Sequence, residues 1–193
     1  MAKARVLVPL AEGFEEIEAV TVIDLLRRAG IEVVTAGLGA GPVTGSHAIT
    51  IQPDTDLDSV LDEPFDMIVL PGGMPGTTHL LGDARLLALL RLQADAGRQL
   101  AAICAAPSVL AKAGLLAGKR ATSYPGFLTA DNAPGTQVLA DAVVRDGKVV
   151  TSRGPGTAMD FALALVERLL GTPVKNEVEG PLQRPRPPEP TEG

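Results

Sequence analysis

The stretch AAICAAPSVLA, from Ala101 to Ala111, holds Cys104, the only cysteine of the chain. A thiolate is a nucleophile and a thiol is not, so the chemistry open to Cys104 depends on what stabilises its charge. An apolar run ends at the sulfur and a helical pattern starts straight after it. Unpaired N–H groups and the positive end of a helix dipole are therefore expected beside Cys104, and they predict a pKa below the free-thiol value of about 8.5. The small pair Ala105-Ala106 suits a tight strand-to-helix elbow that presents a nucleophile. Against this stands the ordinary role of a lone cysteine in an apolar strand, which is packing.

Two further features bear on the choice. FDMIVLPGG is an apolar run ending in Gly72-Gly73, where backbone can approach a ligand closely, and these N–H groups together with that of Ala105 can face a developing oxyanion. EGFEEIEAV places Glu12, Glu15, Glu16 and Glu18 at the start of a helix, where acids ordinarily do no more than favour the dipole. Glu18 differs, because Val22, Leu25 and Ala29 follow at helical spacing and point its side chain toward a core. A buried carboxyl needs a partner, and a protonated Glu18 donating to a Cys104 thiolate would satisfy both groups.

Other chemistries are excluded on spacing. GLGAGP has Pro42 where a dinucleotide loop needs its last glycine, and LLAGKR has Arg120 where a P-loop needs Ser or Thr. The only histidines, His47 and His79, form no spaced zinc cluster with the one cysteine and read as surface or loop residues. No metal and no cofactor are expected.

These residues need a scaffold, and the chain alternates short β-rich runs with segments of helical period, the mark of βαβ units around a mostly parallel sheet with helices on both faces. RVLVPL, IEVVTAG, AITIQPD, FDMIVL and RQLAAIC read as strands. Helices are expected from about Glu15 to Ala29, over DARLLALLRLQADAG with Asp83 as N-cap, over AAPSVLAKAG, and over GTAMDFALALVERLLG. QVLADAVVRDGKVVTS reads as a hairpin turning at Asp146-Gly147. From Gly180 the sequence GPLQRPRPPEPTEG offers little to bury, so the expectation is one α/β domain over 1–182 and an extended or disordered tail over 183–193.

At 193 residues, 46% hydrophobic, with a formal charge of −6, the composition is that of one globular domain with no reason to seek nucleic acid. A single cysteine cannot form an internal disulfide, and neither a signal peptide nor a membrane span is evident, so a cytoplasmic protein is expected.

In order and spacing, GFEEIEAV, FDMIVLPGGMPG, AAICAAPSVLAKAGLLAGKRATSYPG and TSRGPGTAMDFALALVE resemble the ThiJ/PfpI superfamily, in particular its Parkinsonism-associated protein deglycase branch, over about residues 3–182. The resemblance implies a flavodoxin-like three-layer α/β sandwich and a homodimer. It implies Cys104 as nucleophile, Glu18 as the acid beside it, and Gly72, Gly73 and Ala105 as backbone donors in a substrate pocket. It also implies glyoxalase or deglycase activity on methylglyoxal, glyoxal and their adducts, with an oxidative-stress or holdase role of Cys104 as the alternative. Two positions depart from the pattern: Tyr124 stands where some relatives have histidine, and His47 where some have arginine. No Cys-His pair is available, so a peptidase is not expected.

Overall fold

The structure, a computed structural model, describes residues 3–185. In chain order the elements are β1 (Arg5–Leu10), α1 (Glu16–Arg28), β2 (Glu32–Gly37), β3 (Val43–Thr44), β4 (Thr50–Ile51), β5 (Thr55–Asp56), β6 (Met67–Leu70), α2 (Gly76–Gly82), α3 (Ala84–Asp95), β7 (Gln99–Ile103), α4 (Pro107–Lys112), β8 (Arg120–Ala121), β9 (Gln137–Val138), β10 (Val143–Asp146), β11 (Val149–Ser152), α5 (Ala158–Leu170) and α6 (Thr172–Glu179). Seven strands form one sheet in the order β10-β11-β7-β6-β1-β2-β5, parallel throughout except for the β10–β11 hairpin.

Strand residues alternate between two cores, as a period of two requires. Val6, Val8 and Leu10 of β1 join Met67, Val69 and Ile103 on one face, under Val22 and Leu26 of α1 and Phe161 and Leu165 of α5. Leu7, Ile68, Leu70 and Leu100 point the other way, onto Leu86 and Leu90 of α3 and Val109 and Leu110 of α4. Both faces are covered, which is why the central strands read as continuous apolar runs. This is the flavodoxin-like three-layer sandwich.

Several boundaries differ from the expectation. AITIQPD contains only β4, which pairs with β3 in a small separate hairpin, and the strand that joins the main sheet at its edge is β5, just past the end of that run. Alternation alone does not say which strand a segment pairs with. The α2 and α6 helices were not apparent, being short and bounded by Pro and Gly. Helix α4 begins only at Pro107, so Ala105 and Ala106 form a turn between sulfur and helix. The Pro-rich segment is anchored where it starts: Gly180–Leu182 is a 3-10 turn, Leu182 packs on the core, and Arg184 pairs with Asp160 and with Glu179. Ion pairs and one leucine hold what composition alone marked as tail, and 186–193 lie outside the described residues.

Candidate active site

Cys104 sits just past the end of β7, with φ at +63°. For a residue with a Cβ this left-handed conformation costs on the order of 1 kcal/mol or more, and it persists where neighbours fix it. Here both sides of the residue are clamped. The Cys104 N–H donates to Ser152 O of β11 at 3.0 Å, and the Tyr124 N–H donates to Cys104 O at 2.9 Å. The following turn closes through Ala106 N–H to Ile103 O and the Ser108 hydroxyl to Ala105 O at 2.6 Å. The N–H groups of Gly73 and Ala105 face the sulfur and favour its charge.

Glu18 comes to the same point from the first turn of α1, fully buried. Its Oε2 accepts the Gly72 N–H at 2.7 Å, while Oε1 is buried without a hydrogen-bond partner. Burial, opposed by the interactions with Cys104 and Gly72, raises Glu18 from 4.5 to about 7. The same burial, followed by the Glu18 charge, pushes the Cys104 thiol up to about 12. The expected acidic thiol is therefore corrected for the state in which Glu18 is ionised. The six-residue α4 starts too far along to offset desolvation of the sulfur. The two groups are a coupled pair that holds one proton between its two steps, and protonation of Glu18 removes the charge opposing the thiolate and gives Oε1 a hydrogen to donate.

Gly72 is corrected as well. Its N–H is occupied by Glu18, so Gly73 and Ala105 are the donors left for an oxyanion beside the sulfur. What Gly72 supplies is space, since a Cβ there would lie 2.7 Å from the Cys104 Cβ and 2.9 Å from Glu18 Oε2. Gly73 has φ +93°, and a Cβ on it would meet the Glu15 backbone nitrogen at 2.3 Å. Gly72→Ala is expected to cost about 1–3 kcal/mol of stability by overpacking and to slow iodoacetamide alkylation of Cys104. Urea denaturation and thiol labelling measure both, and a variant matching the wild type in each would show that the wall yields.

The raised Glu18 pKa has a stability consequence. Between about 4.5 and 7 the native state holds a proton that the unfolded chain has released, so unfolding free energy falls as pH rises through this window. The full drop is about 3 kcal/mol, and Glu18→Gln is expected to flatten this slope in denaturation curves taken from pH 4.5 to 7.5. A slope that survives the substitution would place the titration elsewhere.

The other acids of GFEEIEAV do more than their position suggested. Glu15 caps α1, accepting the Glu18 N–H at 2.8 Å. Glu16 binds the loop before β4, accepting the His47 N–H at 2.6 Å and sitting 2.9 Å from His47 Nδ1. Burial opposes its ionisation, but the His47 and Ile49 hydrogen bonds lower it to about 2. Nothing in the sequence pairs residues 31 positions apart. His47 is an exposed ring with one nitrogen committed, and His79 Nδ1 lies 3.0 Å from Glu12 O. Glu15, Glu16 and His47 could gather round a cation, but Glu15 and Glu16 are already spent on these bonds, and we assign none.

An elbow cysteine with positive φ beside a buried glutamate, in this sheet, matches a known pattern. The DJ-1/PfpI family model matches residues 4–168. The chain belongs to the DJ-1/PfpI family. It is 47% identical over 174 residues to protein dj-1beta of Drosophila melanogaster, covering 89% of this chain and 92% of that one. It is 38% identical over 179 residues to the glutathione-independent glyoxalase DJR-1.2 of Caenorhabditis elegans, covering 93% and 95%. The crystal structure of Drosophila DJ-1beta superposes with a TM-score of 0.91 at 43% identity, over 96% of this chain and all of that one. In this DJ-1/PfpI protein Tyr124, half-exposed, lies on the loop whose N–H caps the elbow carbonyl.

Proposed function

We propose that this protein is a glutathione-independent glyoxalase, and a deglycase in carbonyl-stress defence, acting on methylglyoxal, glyoxal and their adducts without a cofactor. The observation that carries the reading is the pairing of Glu18, its midpoint near neutrality, with Cys104 on a strained elbow that two N–H groups face. The Cys104 thiolate adds to the aldehyde carbon, and Glu18 protonates the resulting alkoxide to give a hemithioacetal. The Glu18 carboxylate then removes the proton on that carbon and returns it to the adjacent ketone carbon, giving a lactoyl thioester. Water hydrolyses the thioester to lactate and the thiol. The aldehyde carbon is oxidised and the ketone carbon reduced, so no outside oxidant is needed. For adducts, the same thiolate displaces the amine at the aminocarbinol carbon: the C–S bond forms, the C–N bond breaks, Glu18 protonates the departing amine, and the same hemithioacetal results.

The competing reading is a redox sensor or holdase in which Cys104 is oxidised to sulfinate beside Glu18 and nothing is turned over. Product counting separates the two. Incubated with methylglyoxal and no thiol cofactor, the enzyme is expected to make lactate in large molar excess over protein. Lactate absent, or limited to one equivalent per chain, would favour the sensor.

A cytoplasmic homodimer belongs to the same proposal. Among the described residues no helix is long and apolar enough to cross a membrane. The apolar side chains of Ile17, Val20 and Ile49 are about half exposed, and Glu16 ties the loop carrying Ile49 to the helix carrying the other two. Singly such residues are ordinary, but a contiguous set supports an interface. Ile17→Asp is expected to convert a dimer to monomer in light scattering at micromolar concentration. A variant that elutes and scatters as the wild type does would move the interface elsewhere.

A further inference from the structure

An open groove of about 430 Å³ runs beside the elbow, lined by Tyr124, Pro125, Arg153 and the turn from Gly154 to Thr157. It is tied to Cys104 from both sides. Tyr124 donates to the Cys104 carbonyl, and Arg153 follows directly on Ser152, whose carbonyl accepts the Cys104 N–H. A space of this size takes ligands well larger than methylglyoxal. One wall is the Tyr124 ring, braced edge-on against Phe127 with centroids 6.2 Å apart. Arg153 lines the same groove.

Arg153 stands apart from most surface arginines. Arg27, Arg85, Arg145 and Arg184 each have a carboxylate within ion-pair distance, whereas Arg153 has none among the described residues. Its Nη1 donates to Ala140 O at 2.9 Å, which holds one corner of the guanidinium, and among the described residues the edge carrying Nε and Nη2 has no acceptor. That edge is the geometry that grips a carboxylate with two parallel hydrogen bonds. Two N–H groups of the turn are spent within it, Gly154 N–H on Thr157 Oγ1 and Thr157 N–H on Gly154 O. A single guanidinium, with one positive charge and a two-pronged edge, matches one carboxylate in charge and shape better than a phosphate dianion.

We propose that this groove is a substrate subsite for α-oxoaldehydes carrying a carboxylate at the far end, with Tyr124 flanking the carbon chain and Arg153 holding the carboxylate. It rests on the reading that Cys104 adds to aldehydes. The product is then a 2-hydroxy dicarboxylate: the aldehyde carbon is oxidised to the new acid, the ketone carbon is reduced to the alcohol, and one water is consumed.

The test compares 4,5-dioxopentanoate with methylglyoxal in the wild type, Arg153→Gln and Arg153→Lys. The ratio of the two kcat/KM values is expected to fall about tenfold in Arg153→Gln, and by less in Arg153→Lys, which keeps the charge but not the fork. A second readout needs no turnover: the rate of Cys104 alkylation by iodoacetate relative to iodoacetamide, expected to fall several-fold in Arg153→Gln. If the wild type turns over neither oxoaldehyde, the enzymatic reading fails while the alkylation ratio still decides the subsite. The subsite stands if either ratio falls, and it is overturned if every ratio obtained stays within twofold of the wild type.

Discussion

Glu18→Gln is expected to leave the protein folded and to lower methylglyoxal turnover by a hundredfold or more, on the order of the loss when an acid–base group is removed. Glutamine fills the same volume and its carbonyl can still accept the Gly72 N–H that Glu18 Oε2 accepts at 2.7 Å. Its amide can still donate toward the sulfur. It cannot carry a proton from one carbon to the next. The same substitution removes the charge that, after burial, does most to push the thiol up, so Cys104 should ionise more easily and alkylate at least as fast near neutral pH. Faster or unchanged alkylation with collapsed turnover is the signature of a lost shuttle, distinct from a damaged elbow, where both rates fall. In the wild type, alkylation should rise with pH through about 7, the first step of the pair, because the singly deprotonated state includes the thiolate beside a protonated Glu18. Wild-type-like turnover in Glu18→Gln would remove the shuttle from the mechanism.

Cys104→Ser is expected to bring turnover to background while costing little stability. The hydroxyl is smaller than the thiol and can donate to Glu18 Oε1, the buried oxygen that has no partner in the wild type. What it cannot do is ionise: among the described residues, a serine alcohol in this pocket has no histidine bonded to it to take its proton. Residual turnover above background, with the variant shown intact by mass, would mean that the aldehyde is activated without covalent addition. Denaturation curves of the two proteins supply the check on folding.

How far the sequence went depended on whether a feature was local. The order of strands and helices around Cys104 follows from periodicity within each segment, and Glu18 was found because Val22 and Leu25 repeat at helical spacing behind it and mark the buried side of α1. The elbow followed from an apolar run meeting two alanines. Pairings between distant segments were not readable: the Gly72 N–H on Glu18 spans 54 positions, and the Glu16 bond to His47 spans 31. The pairing of AITIQPD with β3 instead of the main sheet is of the same kind, because alternation does not choose a partner strand. The acidity of the thiol is not legible for a different reason. A helix start shows in the sequence, whereas the depth of the sulfur and the charge facing it exist only once the chain is folded.

The central claim, a Glu18–Cys104 pair that moves a proton between two substrate carbons, is tested most directly by proton NMR of the wild-type enzyme and methylglyoxal in D2O without any added thiol. Lactate is expected to accumulate in many-fold molar excess over Cys104, with deuterium at the carbon bearing the hydroxyl, because the proton passes through a carboxyl whose hydrogen exchanges with solvent. Lactate that retains hydrogen completely at that carbon would indicate direct hydride transfer and contradict the shuttle, and a methylglyoxal signal that does not decline would contradict the enzyme.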